Sequence, residues 1–341
     1  MNAMKTYKSV LKHALLITIM LQVYGLTYSQ PSSFSWNQRH QIIDYVSNAK
    51  DQGEQGPCGI FATVAAVEAM IEIYFNHTGS TENLSESNLY SACGLHDYGP
   101  DIALPFFRDN GSVDENTWQW PGPDYDDPYF HYMTNPPCNT FFAAVYDHKA
   151  KIPGWGASLW GTPNCIDEDV DLKKAIMDHG PIILAGNGAD QSGYKLGAAL
   201  HPGDTTVHHS ILVTGWTANG EWEIKDSWPG AIANDREVAI NFFLYAPNCY
   251  WIEPVVNDNG TLRYITVKDY YGIDKYSRAS AIDYDKDGFY RWGLETYPTP
   301  GFTGYYPKMD FDDRDKYVIF CDGYTPVNGP RISDTTSKWV C

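Results

Sequence analysis

A long run of mostly apolar positions occupies residues 60–75. Apolar side chains recur there every three or four residues, with Glu68 and Glu72 between them. This spacing is typical of an α-helix that buries one face against a core. Pro57 suits the first turn of such a helix, because the N–H group that proline lacks would have no partner there. The pattern therefore predicts a core helix that has Cys58 at its N-terminus.

A second pattern predicts two strands joined by a tight turn. Ser210–Thr214 is apolar and β-branched, Thr217–Gly220 has the composition of a turn, and Glu221–Trp228 alternates between apolar and polar residues. In this hairpin His209 opens the first strand, and Asp226 lies toward the end of the second. Both side chains therefore fall at the same end of the hairpin, where a carboxylate can orient an imidazole.

The positions of these residues indicate nucleophilic chemistry. Free N–H groups and the positive end of the helix dipole lower the pKa of a thiol at a helix N-terminus, so Cys58 is placed to react as a thiolate. A thiolate that attacks a carbonyl still needs a base and hydrogen-bond donors for the oxyanion. His209 is the candidate base, and Asp226 is its candidate partner.

Four motifs, taken in order, resemble the papain family of cysteine peptidases. They are Gln52-Gly53, Gly56-Pro57-Cys58, His209 before an apolar strand that ends in Gly215, and Asp226-Ser227-Trp228. Each motif alone is weak, but the combination is specific, and the resemblance covers roughly residues 36–230. It implies an α+β fold of two lobes. A helical lobe carries the nucleophile, and a β-rich lobe carries the histidine and the aspartate.

The resemblance also implies roles for the catalytic residues. Cys58 would attack a peptide carbonyl, and His209 would transfer protons while Asp226 orients its imidazole. The side-chain amide of Gln52 and the backbone N–H of Cys58 would donate to the oxyanion. The implied activity is that of a cysteine endopeptidase, which acts on proteins or peptides and needs no cofactor for catalysis.

Three more residues fall where the family contacts substrate or covers the site. Gly99 lies roughly where the family has glycines that bind substrate backbone, and His208 stands beside the cleft. Trp228 would shield the bond between His209 and Asp226. The spacing of His201, His208 and His209 is not that of a zinc site.

The sequence departs from the family pattern at several positions. Gly59 stands where a tryptophan usually follows the nucleophile, and Asp226 stands where an asparagine is usual. The glycine-containing run that normally follows Trp228 is degenerate. These departures leave the expected chemistry unchanged and alter the expected shape of the primed side of the cleft.

The N-terminal residues have the pattern of an export signal. Three lysines precede an apolar run at residues 14–20, and Thr27 and Ser29 supply small residues before a cleavage site. This predicts a signal peptide over residues 1–29 and export to the periplasm or the extracellular space. The run is too short for a membrane anchor, since spanning takes about 20 apolar residues. No later stretch is expected to be apolar enough to span a membrane.

Charge narrows the classes of partner. The chain has a net charge of −18, which becomes −21 without residues 1–29, because these hold three lysines and no acid. Such a charge argues against nucleic acid and anionic membranes as partners. After residue 255 short aromatic and β-branched pieces alternate with Gly, Asp and Pro. We therefore expect a catalytic domain over residues 30–255 and a β-rich extension over residues 256–341.

The cysteine count is consistent with an exported protein that keeps one free thiol. There are seven cysteines, and Cys58 as the free nucleophile leaves six for up to three disulfides. The family resemblance implies a bridge from Cys93 to the region of Cys138. A bridge between Cys321 and Cys341 would fix the C-terminus, and Cys165 and Cys249 remain.

An acidic loop in the predicted extension has the spacing of calcium ligands. Asp283, Asp285 and Asp287 alternate along the chain, and Gly288 permits a sharp turn. Leu294 stands where a bidentate acid is expected, so the loop is not a standard EF-hand. Both a structural calcium site and a solvated acidic turn fit this pattern.

Two other functions fit part of the sequence. A transglutaminase-like enzyme or a cell-wall amidase would also use a Cys–His–Asp site, although the motif around Gln52 favours a peptidase. A non-enzymatic adhesin or carbohydrate-binding protein with a relict site would explain the aromatic-rich C-terminal part. The presence of Gln52, Cys58, His209 and Asp226 together argues against the relict site.

Overall fold

The computed structural model describes twelve segments of the chain: residues 32–37, 44–53, 57–75, 82–90, 99–120, 149–158, 169–186, 209–227, 236–238, 248–258, 261–269 and 272–276. The helices in these segments are α1 (Cys58–Phe75), α2 (Glu86–Tyr90), α3 (Pro100–Asp109) and α4 (Asp169–His179). Helices α2 and α3 both pack against α1. Together these three helices form the helical part of the molecule.

The strands are β1 (Phe34–Ser35), β2 (Ala150–Lys151), β3 (Gly154–Ser158), β4 (Ile182–Gly186), β5 (His209–Trp216), β6 (Trp222–Lys225), β7 (Arg236–Val238), β8 (Asn248–Glu253), β9 (Val255–Asp258), β10 (Thr261–Tyr264) and β11 (Thr266–Val267). Within the described residues the main sheet has the antiparallel order β3-β8-β4-β5-β6-β7, and β1 also pairs with β5. Helix α4 packs on this sheet against β5. The helical part and the sheet meet where α1 lies against β5.

Helix α1 begins at Cys58, as the sequence predicted, but it is buried on every side. All residues from Gly59 to Phe75 are buried, including the carboxylates of Glu68 and Glu72. The expectation of one buried face was therefore wrong. A helix that is apolar nearly all round packs in the centre of a domain, and its few acids must find partners there.

The same helix corrects the expectation that no later stretch is apolar enough to span a membrane. Among the described residues, helix α1 is the one helix that is long and apolar enough to meet the criteria for a membrane span. Nearly all of it is buried inside the protein, in contact with α2, α3 and β5. Its apolar composition is thus explained by its place in the core.

The predicted hairpin is present, with a shorter second strand. Strand β6 covers Trp222–Lys225, where alternation had suggested Glu221–Trp228. Its register sets Trp222 opposite Trp216 and Lys225 opposite Leu212, with an irregularity near Gly215. Gly215 permits the close approach of β1, because a Cβ atom there would lie 2.1 Å from the carbonyl oxygen of Phe34.

The chain after residue 255 forms further β-strands. Strands β9 and β10 form an antiparallel hairpin, whose base is closed by a hydrogen bond from Ile265 N to Pro254 O. Strand β11 then pairs with β2. The signal peptide, the acidic loop and most of the predicted extension lie outside the described residues, so these predictions and the boundary at residue 255 stay predictions.

Candidate active site

Cys58 is the first residue of α1, and the backbone around it is already helical. The N–H groups of Ile60 and Phe61 both donate to the carbonyl oxygen of Pro57, at 2.9 and 3.0 Å. The N–H groups of the first turn are therefore directed toward the N-terminal end, where Cys58 lies. Cys58 is partly exposed, and its thiol is free.

His209 opens β5 and contacts the carboxylate that the hairpin brings beside it. Its Nε2 lies 2.9 Å from Oδ1 of Asp226, which follows the last residue of β6. Both side chains are almost fully buried. Oδ1 of Asp226 also accepts a hydrogen bond of 2.6 Å from the backbone N–H of Ser227, which fixes the carboxylate toward the imidazole.

The charges of the site are arranged to favour an ion pair. Burial alone would lower the pKa of His209, but hydrogen bonds to Asp226 and Cys58 outweigh it and raise that pKa to about 9. Burial alone would raise the pKa of Cys58, but a hydrogen bond to His209, the imidazolium charge and the backbone N–H groups of Gly59 and Ser210 lower it. Thiolate and imidazolium thus stabilise each other.

Gln52 is held beside this group by Ser227. The hydroxyl of Ser227 donates to Oε1 of Gln52 at 2.6 Å, and the backbone N–H of Gln52 donates to the carbonyl oxygen of Ser227 at 2.8 Å. Sequence reasoning used Ser227 only as part of a motif and missed this role. Two features of the sequence could have indicated this role. Ser227 directly follows Asp226, and its hydroxyl can form a hydrogen bond to a neighbouring segment.

A buried charge network underlies the site, and sequence reasoning also missed it. Nζ of Lys50 lies 3.1 Å from Oε1 of Glu68 and 2.9 Å from both carboxylate oxygens of Glu86. Nζ of Lys225 lies 3.7 Å from Oε2 of Glu68 and donates to the Ser47 hydroxyl at 2.6 Å, and this hydroxyl in turn donates to Glu68. The two acids inside an otherwise apolar helix pattern were the available signal.

The structure places the other predicted site residues as follows. Gly99 is the N-cap of α3, and its carbonyl oxygen accepts bonds from the N–H groups of Ile102 and Ala103. His208, Trp228 and the acidic residues Asp283, Asp285 and Asp287 lie outside the described residues. No cluster of three metal-binding side chains occurs in the part of the chain that is described. Cys249 is disulfide-bonded, and its partner lies outside that part.

Comparison with known proteins identifies relatives of this chain. A low-temperature-induced cysteine proteinase from Solanum lycopersicum is 28% identical over 219 residues, which are 61% of this chain and 55% of the relative. Cathepsin S from Mus musculus is 26% identical over 212 residues, which are 58% of this chain and 55% of the relative. The chain therefore spans about half the length of the curated relatives that it matches.

A similar solved structure is a digestive procathepsin L2 proteinase from the larval midgut of Tenebrio molitor. It has a TM-score of 0.49 and 20% identity, over 66% of this chain and 69% of the other. A model of the papain family of cysteine proteases matches residues 30–235, which is more than half of the chain. The chain therefore belongs to the papain family of cysteine proteases.

Proposed function

We propose that this protein is an exported cysteine endopeptidase, in which Cys58, His209 and Asp226 carry the reaction. The observation that carries the proposal is the buried contact of 2.9 Å between His209 and Asp226, made by an imidazole that also lowers the pKa of the free thiol of Cys58. A nucleophile, a base and a group that orients the base are the parts that acyl transfer requires.

In the first half of the reaction the Cys58 thiolate attacks the carbonyl carbon of a peptide bond. A bond forms between Sγ and carbon, and the carbonyl oxygen becomes an oxyanion. When this intermediate collapses, the bond to nitrogen breaks, and the imidazolium of His209 gives its proton to the leaving amine. A thioester remains on Cys58, and His209 is neutral.

In the second half His209 takes a proton from water as the water oxygen attacks the thioester. Collapse of the second intermediate breaks the bond to Sγ and releases the carboxylic acid product. The thiolate and imidazolium are thereby restored. Asp226 stays ionised throughout and holds the imidazole in one orientation. The family needs no cofactor for these steps, because the protein itself supplies both nucleophile and acid.

Gln52 is the proposed side-chain donor to the oxyanion. Because Ser227 donates to Oε1, the amide of Gln52 is held in one of its two flips. Nε2 is then on the opposite side of the amide, and it donates to the oxyanion together with the backbone N–H of Cys58. Two hydrogen bonds to Ser227 position Gln52, and the N–H of Cys58 belongs to the first turn of α1, so both donors are oriented before substrate arrives.

Further assignments rest on the sequence. Gly99, His208 and Trp228 contact substrate or cover the site, residues 1–29 direct export, and the substrates are proteins or peptides. Asp283, Asp285 and Asp287 hold a structural calcium ion, which takes no part in the reaction.

Hydrolysis of fluorogenic dipeptide amides tests the proposal. We expect fluorophore release by the purified protein and none by Cys58→Ala, with Asp109→Asn as an exposed control that keeps full activity. Transfer of the acyl group to an added amine, without net hydrolysis, would favour a transglutaminase-like enzyme. No turnover by protein whose Cys58 reacts fully with a thiol reagent would contradict the proposal.

A further inference from the structure

The chain after β10 folds back on itself in a short strap. We define the C-terminal strap as residues 265–269 and 272–276. Its first limb contains β11, which pairs with β2, and its second limb returns beside the first through a hydrogen bond of 2.8 Å from Lys275 N to Val267 O. Gly272 has a φ of 74°, which suits the tight turn between the limbs.

The second limb of the strap reaches the helical part of the molecule. Nζ of Lys275 lies 2.8 Å from Oε1 of Glu82, and the ring of Tyr276 lies 5.4 Å from the ring of Phe75. Phe75 is the last residue of α1, which has 18 residues, and at 1.5 Å per residue it lies about 26 Å from Cys58. The strap therefore closes on the end of α1 that is remote from the nucleophile.

Glu82 is an acid that the surrounding residues do not favour in its charged form. Its side chain is fully buried, and its own backbone N–H donates to Oε1 of Glu72 at 2.8 Å. Glu72 and Asp114 both add negative charge near it. Oε2 of Glu82 has no hydrogen-bond partner among the residues that the structure describes. A buried carboxylate in such surroundings requires a compensating cation.

We propose that the C-terminal strap is a clasp, which fastens the chain after β11 to the far end of helix α1, and that Lys275 closes it by neutralising Glu82. The inference does not rest on the proposed peptidase activity, because neither residue lies near the reacting atoms. It implies that the folded catalytic unit extends through Tyr276, beyond the boundary that the change in composition suggested.

The charge state of Glu82 gives the clasp a dependence on pH. Burial raises the pKa of Glu82 to about 7, although Lys275 acts in the opposite direction. Because this folded-state pKa lies above the usual value for Glu, the contribution of Glu82 to stability is present at low pH and is lost as the pH rises through about 7. Lys275 offsets that loss only when Glu82 is ionised, so its contribution is greatest at alkaline pH.

A double-mutant cycle at two pH values tests the clasp. The variants of the full chain are Lys275→Met, Glu82→Gln and the double variant, and thermal unfolding is measured at pH 5.5 and pH 8.5. We expect Lys275→Met to lower the Tm by at least about 3 °C more at pH 8.5 than at pH 5.5. The double variant should recover most of this loss, because the neutral amide that replaces the carboxylate needs no cation.

A matched control lies in the same strap. Lys268 forms an ion pair with Asp274, but the carboxylate of Asp274 is exposed whereas that of Glu82 is buried, so Lys268→Met should change the Tm by less than about 1 °C at either pH. The clasp would be overturned if Lys275→Met lowered the Tm by the same amount at both pH values. It would also be overturned if Lys268→Met lowered the Tm as much as Lys275→Met does. If Lys275→Met does not fold, the double variant must fold, and its failure would overturn the clasp as well.

Discussion

Asp226 is the residue at which this chain departs most informatively from its family. The resemblance implies asparagine at this position, and either side chain can accept a hydrogen bond from the imidazole. Only the carboxylate adds a negative charge, at 2.9 Å from Nε2 of His209 and out of contact with water. This charge helps to raise the pKa of His209 to about 9, after burial has acted to lower it. The imidazolium therefore persists to higher pH than it would beside a neutral amide.

We expect Asp226→Asn to keep substantial activity and to move the alkaline limb of kcat/KM to lower pH, by on the order of one pH unit. The sign follows because the alkaline limb reports loss of the imidazolium proton, and removing the charge of Asp226 lowers the pKa at which that proton leaves. Asp226→Ala should lose more rate, because orientation is lost together with charge. The measurement is a pH–rate profile of the wild type and both variants.

Two outcomes would contradict this account of Asp226. An alkaline limb that stays in place in Asp226→Asn would show that the carboxylate does not set the ionisation of His209. Complete loss of activity in the same variant would show that the charge is essential and not merely favourable.

Cys58 differs from Cys249, the other cysteine that the structure describes, because Cys249 is disulfide-bonded. Its thiol is free, partly exposed and paired with His209, which lowers its pKa. We expect it to be the rapidly alkylated thiol of the native, non-reduced protein, since the thiolate is the reactive form. Brief treatment with iodoacetamide followed by mass mapping tests this. His209→Ala should slow the labelling of Cys58 at neutral pH, and rapid label at another cysteine would refute the assignment.

At the scale of elements, helix α1 depends on neighbouring segments to neutralise a charge that it buries. Because it is buried on every side, Glu68 in its centre cannot reach water. Burial raises the pKa of this carboxyl, but Lys50 and Lys225 outweigh burial and lower it. A backbone N–H also donates to it, from Leu84 at 2.8 Å. Through this one side chain, the helix is joined to the segment before it, to the segment before α2 and to β6.

Glu68→Gln should destabilise the protein by about 3 kcal/mol or more, because it leaves the buried Lys225 without its counter-charge and leaves Lys50 with Glu86 alone. The folded-state pKa of Glu68 is depressed, so its contribution is present above the usual pKa of Glu and is lost as the pH falls. The loss should therefore shrink in acid. Denaturant unfolding at neutral and acid pH measures it.

The matched control for Glu68 is Asp109→Asn, which breaks an exposed ion pair with Arg108. This change should cost less than about 1 kcal/mol. A cost for Glu68→Gln no greater than that of the control would mean that the network is not required for the packing of α1.

At the scale of the whole molecule, segments that are far apart in the sequence pack against each other. The residues after 255 appear in sequence as a separate β-rich extension, but β11 pairs with β2 and the strap reaches the end of α1. Part of that extension therefore completes the structure that holds helix α1. The residues that carry the calcium proposal come later in the chain and stand on the sequence alone.

The calcium proposal predicts an effect of chelation on stability. Three carboxylates at alternate positions repel one another unless a cation binds them, so calcium should raise the Tm by mass action. Asp285→Ala should remove this response, while Glu221→Ala, an acid on the β5–β6 turn, should leave it intact. If neither chelation nor Asp285→Ala changes the melting curve, the loop is a solvated acidic turn.

Local patterns in the sequence determined the helix that begins at Cys58, the hairpin that aligns His209 with Asp226, and the family motifs. Helical periodicity, turn composition and strand alternation act over a few residues, so they can be recognised without a fold. Only the tertiary structure decided which distant residues satisfy the buried polar groups. Ser227 bonds to Gln52 across 175 positions, Lys225 to Ser47 across 178, and Lys275 to Glu82 across 193. A pattern indicates that a polar side chain is buried, but its partner is chosen by the packing of elements that are far apart in the chain.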